Sequence, residues 1–134
     1  MIPLPAASSD AALLGLRLMI AVVFGGSGWR HVRDPAGRAE SIGMSPRFTL
    51  FLGMAELAGS LGVALGVLTQ AAAFGLILVM LGAIRKKIFV WHTGFWGKKA
   101  SGWHYDLMLV VMNLVVVATG GGGWQISHFL RLPP

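Results

Sequence analysis

Four runs of about twenty apolar residues, separated by short segments rich in charge or glycine, constrain this chain more than any other feature. They lie at about 11–29, 48–68, 71–91 and 103–120. A helix rises 1.5 Å per residue, so each run is close to the ~20 residues that cross ~30 Å of hydrocarbon. The third is charge-free only from Ala71 to Ile84, and snorkelling of Arg85, Lys86 and Lys87 towards head groups completes it. Charged residues make up 12% of the 134, about half the ~25% of a soluble domain. The expected fold is therefore all-α: a four-span transmembrane helix bundle, with residues 1–134 forming a single membrane domain.

Local signals set the limits of each run. Ser8-Ser9-Asp10 and Ser45-Pro46 read as helix starts, and Gly120 to Gly123 as a stop. Only Thr69-Gln70 parts the second run from the third, which predicts a tight antiparallel hairpin. The first run has no basic segment before it and contains Arg17, so it reads as a retained span rather than a cleaved leader.

Charge asymmetry orients the bundle. Arg30, Arg33, Arg38 and Arg47 precede the second run, while Arg85, Lys86, Lys87, Lys98 and Lys99 surround the third-to-fourth connection. Together they are nine of the 11 basic residues, and with four crossings they share one face of the membrane. The positive-inside rule makes that face cytoplasmic and puts both termini on the non-cytoplasmic side of a multi-pass inner (plasma) membrane protein. Trp29, Trp91, Trp96, Trp103 and Trp124 fall at or beyond run ends, as an aromatic belt requires. The net charge of +6 is thus membrane charge, which excludes nucleic acid as a partner. Basic clusters of this kind meet anionic lipid or dock a soluble partner.

Arg17, Glu56 and Asp106 interrupt or border the apolar runs, and Asn113 shares the Asp106 face of the fourth. An intramembrane charge costs at least ~2.5–3.5 kcal/mol on insertion scales, so it is expected to have a partner or a task. An Arg17–Glu56 ion pair is one arrangement, although the two sit at different depths. A buried polar cluster that sets helix register is a second, and a ligand site centred on Glu56 a third. Gly59 and Ser60 beside Glu56 suggest room around it. Ala58, Gly62 and Gly66 form a small-residue stripe suited to close helix packing, with Gly59 alongside. His31, His92 and His104 have no helical i,i+3 or i,i+4 spacing, and the chain has no cysteine, so no metal site is expected. No nucleophile–base set, phosphate loop or paired-carboxylate motif is visible, and the residues assign no catalytic activity.

Three stretches carry a resemblance: Leu14-Gly15-Leu16-Arg17-Leu18 through Phe24 and Gly28; Gly53-Met54-Ala55-Glu56-Leu57-Ala58-Gly59; and Gly102-Trp103-His104-Tyr105-Asp106-Leu107. In order and spacing the chain resembles the DoxX family of small four-helix membrane proteins, from residue 13 to about 120. The family often has a His before the glycine that ends the first span and a Lys a few residues on, whereas this chain has Ser27 and His31 there. The resemblance implies a subunit of a larger membrane complex, oxidoreductase-associated, with a quinone as the cofactor class and other membrane or peripheral subunits as partners. Related four-helix proteins imply the alternative, a non-catalytic scaffold or assembly factor.

Overall fold

The computed structural model describes residues 2, 5–98 and 102–132. Lys99, counted above among the basic residues, lies outside them. Every regular element among the described residues is helical: α1 (Ala6–Arg33), α2 (Pro35–Ile42), α3 (Pro46–Leu65), α4 (Thr69–Phe89), α5 (Trp103–Thr119) and the single turn α6 (Ile126–Phe129). Two of them, α1 and α3, are long and apolar enough to cross a membrane, and α5 is a shorter apolar helix.

The chain's punctuation explains most of these limits. Ser45 accepts a hydrogen bond from Phe48 N at 3.2 Å and Pro46 opens α3, as the sequence signal requires. Asp34 and Pro35 do the same for α2, with Gly37 N as donor at 3.1 Å. That helix lies in a segment read above as a charged connection. The start of α1 differs from expectation. The helix begins at Ala6, ahead of Ser8-Ser9-Asp10, and Asp10 instead accepts from Gly123 N at 2.7 Å across the bundle. The same helix runs four residues past Trp29, because nothing disfavours it until the residue before Pro35.

The four long helices alternate in direction. At one end, called here the near end, the start of α1, the end of α3, the start of α4 and the glycines after α5 meet: Asp10 bonds Gly123, and Ser127 N bonds Gly66 O. At the far end, α2 packs on α3 and α1, and Lys86 of α4 reaches the last carbonyls of α2. The most extensive pairings are α1 with α3 and α4 with α5, while Gly66, Val67 and Leu68 make the tight turn between α3 and α4.

The core is apolar at its centre, with Ile20, Phe24, Val63, Ala73, Leu76 and Val116 in contact. Around it the usual burial pattern is inverted. Val22 and Phe51 are 70% and 66% exposed, whereas Arg17, Glu56 and Asn113 are 1%, 2% and 0% exposed. Water would reward the reverse arrangement. An apolar solvent rewards this one, because it charges nothing for exposed Phe and a great deal for exposed ions.

Candidate functional site

The four polar residues singled out in the sequence separate into different places. Arg17 lies at the near end, where its guanidinium is enclosed by carbonyl oxygens. Nε donates to Val63 O at 2.8 Å, Nη2 to Ala64 O at 3.0 Å, and Nη1 to Trp124 O at 2.7 Å and Gly121 O at 3.3 Å. Val63 and Ala64 sit in the last turn of α3, whose carbonyls have no helical N–H to accept from. A cation there also faces the negative end of the helix dipole. Thr69 donates to the Gln125 side-chain oxygen, and Gln125 Nε2 donates to Gly120 O at 2.7 Å and also to Gly122 O, completing the cap. Arg17 therefore makes no ion pair with Glu56. Its side chain leans towards the helix N-terminus, away from Glu56, as helical side chains do.

The small-residue stripe also divides. Gly66 is the left-handed C-cap of α3 at φ 74°, and a β-carbon there would lie 2.7 Å from Arg17 Nη2. It serves the turn and the arginine rather than a helix seam. Gly59 and Gly62 do face α4, with their β-carbon positions 2.8 Å from Leu76 Cδ2 and 3.0 Å from Ala72 Cβ, and Ala58 lines the shallow groove beside that seam. Leu76 thus fills the room expected next to Gly59.

The open space lies on the other side of Glu56. Between α1, α2, α3, α4 and α5, at the far end, is a cavity of about 570 Å³ whose wall includes Ser27, His31, Glu56, Lys87 and Asp106. A close crossing of α1 and α3 lies beside it. Gly28 and Gly53 bring α1 and α3 so near that a β-carbon on either would stand within 2.8–2.9 Å of the other's carbonyl oxygen. This contact sets Ser27 and His31 against Glu56. Ser27 Oγ donates to Glu56 Oε1 at 3.4 Å, and His31 Nδ1 is 3.2 Å from Oε2. Nδ1 is also 2.8 Å from Ser27 O. A carbonyl can only accept, so the Nδ1 proton points to Ser27 O, and Glu56 Oε2 has no aligned donor. Across the cavity Lys87 Nζ lies 2.7 Å from Asp106 Oδ2. Asn113 is buried deeper on α5, with Nδ2 bonded to Leu109 O at 2.9 Å and Oδ1 unpaired. Among the described residues no cluster of His, Asp and Glu has the geometry to hold a metal.

Sequence reasoning found the carboxyls and missed Ser27, His31 and Lys87 as their neighbours. Ser27 and His31 are four apart on one helix face around Gly28, a pattern that could have marked them.

The chain matches the DoxX family over residues 12–93, a stretch holding Arg17, Ser27, His31 and Glu56. The chain belongs to the DoxX family. This DoxX protein is also similar, at 30% identity over 92% of its length and 84% of the relative's, to "Uncharacterized membrane protein Rv3486" of Mycobacterium tuberculosis. No solved structure matches it. Family and relative together make it a membrane protein, in agreement with its buried charged residues and apolar exterior.

Proposed function

We propose that this DoxX protein is a multi-pass protein of the inner membrane, a single membrane domain whose four long helices all cross and whose termini both lie outside. Its far-end cavity, facing the cytoplasm, receives the polar head of a quinone-like molecule, and the chain works as a subunit of a membrane redox complex. The cavity itself carries the reading: about 570 Å³ of space bordered by Phe24, Phe51 and Leu78, with two buried carboxyls on its wall, Asp106 beside Lys87 and Glu56 with an oxygen that has no aligned donor. Ligand sites combine apolar walls with a few convergent polar groups in this way. Glu56 with Ser27 and His31 would hydrogen-bond the head, while Asp106 ties α5 to α4 behind it through Lys87. Asn113 bonds only within α5.

Glu56→Gln tests the reading because it keeps shape and hydrogen bonding but removes the ionisable proton. Purified in mild detergent, the variant should fold and assemble normally while its bound quinone, measured by mass spectrometry, falls several-fold. Gly59→Leu, which drives a side chain into Leu76, should loosen the bundle instead. Undiminished quinone in Glu56→Gln, with assembly lost only in Gly59→Leu, would leave the protein as a scaffold.

A further inference from the structure

The cavity wall is unevenly charged. Arg30, Arg38, Lys86 and Lys87 line it against two carboxyls, Glu56 and Asp106. Two of the four cations are engaged within the chain. Lys87 lies 2.7 Å from Asp106, and Lys86 bonds the carbonyls of Ile42 and Gly43, where α2 ends. Arg30 and Arg38 form no ion pair among the described residues. Arg38 Nε is moreover buried without any hydrogen-bond partner. An exposed guanidinium completes its bonds with water, but a buried Nε–H in a planar fork needs an acceptor brought to it. Arg30 comes from the last turn of α1 and Arg38 from α2, so the fold converges two elements on the mouth of one cavity. Glu56 lies about eight residues further along α3 than Phe48 at the mouth, roughly 12 Å deeper at 1.5 Å per residue. Apolar side chains fill the interval, including Phe51, Leu52 and Leu78.

We propose that the cavity selects amphipathic anions, with a carboxylate or phosphate held jointly by Arg30 and Arg38 at the mouth and an apolar body extending inward towards Glu56. The inference rests on the reading of the cavity as a ligand site but gives the ligand an acidic head in place of a quinone's. A neutral quinone would meet Glu56 and His31 but leave the buried Arg38 Nε without an acceptor and the exposed Arg30 with water alone. An acidic head answers them with charge-assisted, bidentate bonds.

The test uses the full chain in phosphatidylcholine nanodiscs and three probes: hexadecyl phosphate, its neutral counterpart hexadecanol, and decylubiquinone. Hexadecyl phosphate should bind at least about tenfold more tightly than hexadecanol, as two charge-assisted contacts require. Arg30→Gln with Arg38→Gln should remove about that tenfold preference, whereas Arg33→Gln, an exposed residue off the cavity, should leave it intact. Equal binding of phosphate and alcohol by the unaltered protein overturns the inference, even if the double variant does not fold. So does a folded double variant that retains the preference. Binding of decylubiquinone with no preference for the phosphate overturns the anion and spares the ligand reading. Binding of none of the three overturns both. Replacing phosphatidylcholine with phosphatidylglycerol separates the sources. Competition by the bilayer assigns the anion to a lipid head group, and its absence assigns it to a free amphiphile.

Discussion

Arg17 is a buried cation answered by backbone carbonyls rather than by a carboxylate. Its nitrogens span the end of α3 and the segment after α5, so it joins two parts of the chain that no helix connects. Arg17→Ala should therefore expose several carbonyls to an apolar surround and destabilise by about 2–4 kcal/mol, read from melting or denaturant titration in detergent. Arg17→Lys keeps the charge but cannot reach four oxygens from one planar fork, and should recover less than half of that. Arg17 and Glu56 share no partner, so the losses in Arg17→Ala and Glu56→Gln should add within about 0.5 kcal/mol in the double variant. A coupling well above that would place the two residues in one network and contradict the separation of the two sites.

At the scale of the elements, the crossing of α1 and α3 is the most demanding contact. A β-carbon on Gly53 would stand 2.7 Å from His31 Cβ and 2.9 Å from Gly28 O, and neither a backbone carbonyl nor a Cβ can move aside as a side-chain tip can. Gly53→Ala should thus force the helices apart, lower the melting temperature and distort the Ser27–His31–Glu56 contact together. Gly26→Ala is the control, since nothing lies within 4 Å of its β-carbon position. It should be neutral or stabilise by up to about 1 kcal/mol through helix propensity. Two ends were legible in the sequence from their caps: Ser45-Pro46 opens α3 and Gly120 ends α5, as expected. Helix α2 has the same kind of start, Asp34-Pro35, but it is short and charged and so falls outside the apolar runs that mark the other helices in the sequence.

Over the whole molecule, the grouping of helix ends bears on topology. Asp10, Gly66, Thr69 and Gln125 meet at the near end, and Ile42, Lys86, Lys87 and Asp106 at the far end. The proposed orientation puts the near end outside. Cysteines at Ser8 and His128, both exposed, should then react with a membrane-impermeant maleimide in intact cells. Cysteines at the exposed Ser41 and Lys98 should react only after permeabilisation. The reverse pattern would invert the bundle. The apolar runs, the scarcity of charge and the one-sided basic residues were readable from the sequence by themselves, because bilayer thickness and insertion electrostatics act on local stretches of chain. The all-helical class and the family followed from the same local patterns. Only the tertiary structure decided which polar residues meet. Ion pairs and cavities depend on side-chain direction and on how closely helices cross, and both are set between elements. Two glycines thus put His31 against Glu56, while the lean of one side chain towards its helix N-terminus gave Arg17 to the carbonyls at the opposite end.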